Sequence, residues 1–107
     1  MRVISQSGTI DFPYEISTIF IHPRIENVIE IQSAGDSEFA IVGRYSSKEK
    51  ALKAMEMLRK AYENNVFYHC TAGSKRFEEV QSILSEEQFR KVTTEYFQFP
   101  QDDEIEV

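Results

Sequence analysis

Residue 46 divides this chain between two hydrophobic periods. Before it, apolar residues come in short β-branched and aromatic runs, each closed by a breaker. Arg2 to Ser5 ends at Ser7-Gly8, Thr9 to Phe12 at Pro13, and Ser17 to His22 at Pro23. Asn27 to Gln32 ends at the turn Ser33-Ala34-Gly35-Asp36, and Phe39 to Tyr45 follows. Runs of this composition between Gly, Pro and Asp read as strands. Consecutive short strands with tight turns predict an antiparallel meander. After residue 46 the period becomes helical. Ser46-Ser47-Lys48-Glu49 matches a capping box, in which the Ser46 hydroxyl and the Glu49 carboxylate cover orphan amides. Ala51, Met55, Leu58 and Tyr62 then recur at i, i+4, i+7 and i+11. That spacing draws one apolar stripe along a helix. Asn64-Asn65 is the expected stop, giving about 18 residues and about 27 Å.

Further on, Val66 to Cys70 reads as a strand and Thr71-Ala72-Gly73-Ser74 as a loop. Lys75 to Leu84 reads as a second, shorter helix with Phe77, Val80 and Leu84 on one face. Ser85-Glu86-Glu87-Gln88 offers another capping box, and Thr94 to Phe99 is a returning strand closed by Pro100. The tail over 101–107 is acidic. At 107 residues and 12.5 kDa, a folded chain buries about two-thirds of its extended surface, enough for one core. The reading is a single α+β domain over 1–107. An antiparallel meander packs on one long amphipathic helix, with a second shorter helix and a returning C-terminal strand.

Charge narrows the function. The net charge is -6, which argues against general coating of nucleic acid or anionic membrane. Its distribution is uneven. Residues 1–43 hold two bases and six acids, 44–60 six bases and two acids, and 93–107 five acids and no base. Part of the basic segment reads as a solvated helix face, with Glu49–Lys53 and Glu56–Lys60 at i, i+4. Arg44, Lys48 and Lys50 are left over. Lys48 and Lys50 lie where the helix dipole is already positive, and such a helix start with extra cations suits an anion. Arg44, Ser46, Ser47, Lys48 and Lys50 are therefore one candidate phosphate site. Tyr45 is placed to stack on a base. Ser74, Lys75 and Arg76 repeat the pattern at the second helix.

Catalytic and metal signatures are scarce. Cys70 is the single cysteine, so no intrachain disulfide can form, and a reducing cytoplasm is expected. His69 adjoins Cys70 and faces away from it on a strand, which leaves His22 as the one candidate partner for a Cys-His pair. One Cys and two His do not make a zinc site. Thr71-Ala72-Gly73-Ser74-Lys75 lacks the upstream glycine of a P-loop. Asp102, Asp103, Glu104 and Glu106 lack the spacing of a calcium loop, and read as a solvated tail or as an acidic imitation of phosphates. No stretch reads as a signal peptide, a membrane span or a lipidation signal. The expected cofactor is none. Short apolar strands that one or two helices cannot cover on both faces predict a homo-oligomer.

Three blocks of the chain stand out together. They are Met1-Arg-Val-Ile-Ser-Gln-Ser-Gly-Thr-Ile-Asp-Phe-Pro-Tyr-Glu15, then Tyr45-Ser-Ser-Lys-Glu-Lys-Ala51 with Met55-Glu-Met-Leu-Arg-Lys-Ala-Tyr62, then Phe97-Gln-Phe-Pro-Gln-Asp-Asp-Glu-Ile-Glu-Val107. The chain resembles in them a group of small phage and prophage proteins of Firmicutes, a group that carries no catalytic assignment. Against those blocks, 66–93 looks like a variable insertion. The resemblance implies a phage accessory protein in a bacterial host cell, where such proteins often act as inhibitors or as sponges for signalling nucleotides. The expected function is a non-enzymatic anti-defence protein that sequesters a small anionic, nucleotide-like ligand. The alternative is a protein–protein inhibitor of a host defence enzyme, acting through acidic phosphate mimicry.

Overall fold

The computed structural model describes residues 1–35, 37–71 and 96–106, the side chains of 68–71 aside. The elements are β1 (Arg2–Ile4), β2 (Asp11–Pro13), β3 (Ser17–Ile21), β4 (Val28–Ser33), β5 (Ala40–Arg44), α1 (Lys48–Thr71) and β6 (Tyr96–Gln98). Short 3₁₀ turns cover Tyr14–Ile16 and Asp102–Glu104. The class is α+β. Gly8 and Gly35 take positive φ, 77° and 82°, at two of the turns that the breakers mark.

The strands form two three-stranded sheets, where one meander is the sequence expectation. The orders are β2-β1-β6 and β3-β4-β5. Pro13 ends β2, and the chain enters a 3₁₀ turn there instead of a hairpin loop, which separates β3 from the first sheet. In that sheet β1 is central, with Val3 opposite Phe12 on antiparallel β2 and opposite Phe97 on parallel β6. The C-terminal strand returns, as its pattern predicts. The second sheet is antiparallel. Ile19 faces Ile31, Ile21 faces Ile29, and a register shift falls at Ile29/Glu30.

The helix starts one residue later than the Ser46 cap implies and runs to Thr71, past Asn64-Asn65. Neither asparagine adopts the left-handed conformation that ends helices, since no non-glycine residue among those described has positive φ. Asn65 is instead a buried polar residue, 4% exposed. Val66 to Cys70 is consequently helix and not strand. The second helix over Lys75 to Leu84, the box at Ser85 to Gln88, and Thr94 with Glu95 lie outside the described residues.

One core joins all these pieces. It gathers Val3 and Phe12 from the first sheet, Ile29, Ile31 and Val42 from the second, Tyr45, then Ala51, Ala54 and Leu58 from α1, with Phe99 and Ile105 from the C-terminal segment. Two alanines at full burial let the helix backbone approach closely. Met55 and Tyr62, from the expected stripe, are half-buried, and Lys53 and Lys60 are exposed. Lys53 pairs with Glu56 at 3.9 Å, one turn ahead of it, and not with Glu49, the partner one turn behind that the spacing suggests.

The two sheets are sewn together by Gln6. Its backbone N–H donates to the Val42 carbonyl at 2.7 Å. Its side-chain amide donates to the Arg44 carbonyl at 3.0 Å, and its side-chain oxygen accepts the Arg44 N–H at 2.9 Å. A carboxamide is a peptide group on a stem, so Gln6 continues the ladder along the outer edge of β5. The same amide reaches the Pro100 carbonyl at 3.2 Å, and Gln101 donates back to the Gln6 carbonyl at 2.7 Å.

Two stability changes follow. Leu58, 1% exposed, should cost about 2–5 kcal/mol when truncated to Ala, read by urea denaturation. Gln6→Leu removes three side-chain bonds while keeping bulk, and should cost about 1–3 kcal/mol in the same assay.

Candidate functional site

The start of α1 is the place where sequence chemistry and structure meet. Ser47 caps it: the Ser47 hydroxyl accepts the Lys50 N–H at 3.2 Å, and the Ser47 carbonyl accepts the Ala51 N–H at 3.2 Å. Ser46, the expected cap, has another task. Its N–H donates to Asp102 Oδ1 at 2.7 Å. Lys50 Nζ donates to the Asp102 carbonyl at 2.8 Å and lies 3.5 Å from Asp102 Oδ2. The chain thus seats its own carboxylate beside the helix start, on two of the groups assigned to an external anion.

Local structure delivers Asp102 there. The Phe99 N–H extends the β6 ladder onto the Ile4 carbonyl at 3.0 Å. Gln101 then opens a 3₁₀ turn whose capping box is closed by Gln101 N–H donating to Glu104 Oε1 at 2.8 Å. Ile105 inserts into the core behind it. The acidic segment is therefore docked through Ile105 and is not a free solvated tail. The Ser46 N–H, with the Lys50 ammonium adding, holds the Asp102 carboxyl below the ordinary carboxylate range.

Tyr45 stands against its expected role. It is 3% exposed and belongs to the core, so its ring is not offered to a base. Its hydroxyl donates to the Pro100 carbonyl at 2.9 Å, and its own carbonyl accepts Asn27 Nδ2 at 2.7 Å. Gly43 makes room for the ring, since a Cβ there would lie 3.0 Å from Tyr45 Cε2. Burial pushes the Tyr45 phenol well above its ordinary pKa, with Asp102 and Glu104 adding to the rise. Arg44 is exposed and borders a separate hollow with Gln6 and Ser7. Ser74, Lys75 and Arg76 lie outside the described residues.

What stays open is a depression of about 420 Å³ on the flank of the helix start. Ser46, Ser47 and Lys48 border it, as the sequence pattern suggests, together with Arg24 and Asn27, which that pattern does not single out. Arg24 is presented by a turn that His22 organises: His22 Nδ1 accepts the N–H groups of Arg24 and Ile25, both at 3.0 Å. That imidazole nitrogen is therefore engaged as an acceptor, and the other ring nitrogen lies 3.8 Å from Glu30. Lys48 Nζ lies 3.7 Å from Glu26, both exposed. Sequence spacing carries no signal that residues 24 and 48 meet. The side chains of His69 and Cys70 are outside the described residues. Among the described residues no group of three or more His, Cys, Asp or Glu is arranged to hold a metal ion, and no helix is long and apolar enough to cross a membrane.

The Asp102 contact has a pH signature. A carboxyl held low in the fold stabilises the fold above its unfolded pKa, and that stabilisation is lost as pH falls through the folded value. Asp102→Asn should lower the melting temperature at pH 7, and the gap to the unaltered chain should close below about pH 4. A gap that stays constant from pH 7 to pH 3 in calorimetry would refute the charged contact. No family model, no curated protein and no solved structure matches this chain.

Proposed function

We propose that this chain is a non-enzymatic binding protein that captures a small anionic, nucleotide-like ligand in the depression beside the start of α1. One observation carries the reading: Arg24 and Lys48 border the same open concavity next to the first turn of the helix. The N–H groups of Lys48 and Glu49 donate to no acceptor among the described residues, and the helix dipole adds a positive potential there. Asp102 serves the adjoining Ser46 N–H and Lys50, so the ligand uses the Arg24–Lys48 side. The Glu26 partner of Lys48 is exposed, and such pairs contribute only about 0–1 kcal/mol, which a phosphate can exceed. Resemblance of the three sequence blocks to phage proteins of Firmicutes supplies the context, an anti-defence accessory factor in the cytoplasm of a bacterial host.

A second reading rests on a different surface. On the outer face of β3-β4-β5, Phe20 and Ile41 share one row across Glu30, and Phe20 meets the ring of Phe39 edge-on at 5.4 Å. Phe39 is 57% exposed and Ile41 40%. Such an apolar face supports docking on another protein, either a host enzyme or a second copy. Asp103, Glu104 and Glu106 are the acids that remain exposed for phosphate mimicry once Asp102 is spent.

A thermal-shift screen with cyclic and linear nucleotides, followed by calorimetric titration of the hits, tests the first reading. Lys48→Glu and Arg24→Glu should each weaken the bound nucleotide at least tenfold, since charge-assisted contacts are worth about 1.5–3 kcal/mol. Lys48→Glu should leave folding unharmed, because an acid in the first turn suits the dipole. The ligand should be recovered intact after denaturation. Affinity unchanged by both variants would place the site elsewhere, and light scattering that shows a stable dimer broken by Ile41→Lys would favour the protein-docking face.

A further inference from the structure

We infer that a groove two helical turns further along α1 is a second, separate binding site, for a planar aromatic ring that carries one anionic group. The groove runs between α1 and the 3₁₀ turn leading into β3, and encloses about 510 Å³. That falls within the range of about 300–1,000 Å³ typical of small-molecule sites. Its floor is apolar, made by Ile19, Met55 and Leu58. Its aromatic wall is the pair Tyr14 and Tyr62, with ring centroids 4.3 Å apart and planes tilted by 32°. Both tyrosines are half-buried, and neither hydroxyl has a hydrogen-bond partner among the described residues. Tyrosines that close over apolar ground with unspent hydroxyls offer a ring a flat face and a polar edge.

Charge selects the ligand. Two ionised groups border the groove, Glu15 and Arg59. The Glu15 carboxylate is bonded to the Met1 ammonium, which draws its pKa down and neutralises its charge. Arg59 is exposed and makes neither an ion pair nor a hydrogen bond among the described residues. Glu56, one turn back on the same helix, is turned to Lys53. The groove therefore carries a local positive excess on a chain whose net charge is -6. A free guanidinium takes a carboxylate or a phosphate by paired N–H donors. Apolar floor, aromatic wall and single free cation together fit an aromatic ring with one such group. The site does not depend on the depression at the helix start, which uses none of these residues.

Binding is read by isothermal titration calorimetry, because an indole titrant absorbs and emits over the range of the chain's five tyrosines. The titrants are adenosine 5′-monophosphate and indole-3-acetate, one phosphate and one carboxylate, with adenosine and inorganic phosphate as controls. At least one of the two ring-bearing anions should bind saturably, and adenosine and phosphate at least tenfold more weakly. Whichever anion binds identifies the preferred acid. Arg59→Gln should reduce that affinity at least tenfold without moving the melting temperature, and Tyr62→Leu should reduce it as well. Lys60→Gln, at the exposed neighbour of Arg59 that does not border the groove, should leave it unchanged. Should Tyr62→Leu fail to fold, the exposed Arg59 carries the test by itself. Absence of saturable binding by either anion up to about 1 mM, the limit of weak specific affinity, would overturn the inference. So would affinity that survives Arg59→Gln, and loss of it in Arg24→Glu alone would assign the anion to the helix start.

Discussion

The fold depends on a side chain that behaves as backbone. A sheet of three-residue strands is marginal by itself, because each strand supplies few ladder bonds and little apolar face. The first sheet is built this way, and it persists because Gln6 lends its carboxamide to the edge of β5. That one residue satisfies polar groups of Arg44, Val42 and Pro100 and receives a bond from Gln101. It also closes an edge. The N–H and carbonyl of Arg44 would otherwise be open to another chain, and an open edge is a template for mispairing.

The electrostatics follow from the same junction. Taken alone, the basic segment looks like a socket for an outside anion. Much of it has an inside partner: Lys50 and the Ser46 N–H meet Asp102, in an ion pair spanning 52 positions of sequence. A carboxylate tethered by the fold needs no free concentration, so it holds its place without competing for solvent anions. Two cations that border hollows without an ion pair among the described residues are Arg24, outside the run that the charge profile emphasises, and Arg59, at its far end. Excess charge along a sequence therefore pointed to the internal contact, and concavity in space points to the external ones.

Legibility in the sequence followed the range of the forces involved. Strand runs were readable because breakers act locally: Pro13 and Gly35 end elements by their own dihedral preferences. The helix stripe was readable because Ala51 and Leu58 must face the core whatever that core contains. The division into two sheets was not, since a turn at Tyr14–Ile16 and a hairpin loop have similar residue patterns, and long-range pairing with β6 decides between them. Asn64-Asn65 misled for a related reason. Asparagine ends helices when its side chain serves the backbone in solvent, and tertiary burial of Asn65 removes that option. At the site, Lys48 and Ser47 were visible and Arg24 was not, because only the fold of the His22 turn brings it across.

The pairing of β1 with β6 has a kinetic side. The first three-residue strand cannot be flanked on both edges until residues some 95 positions later are available, the separation of the Gln101–Gln6 bond. Helix α1 and the β3-β4-β5 meander rest on local contacts and can form early. The first sheet must wait for loop closure across nearly the whole chain, an entropic toll that slows folding. During synthesis at the ribosome, Val3 and Phe12 stay exposed until Phe99 and Ile105 have emerged. A partly made chain is thus a helix-and-sheet unit with an uncovered apolar side, and the arrival of residues 96–105 is the step that turns it into a closed molecule.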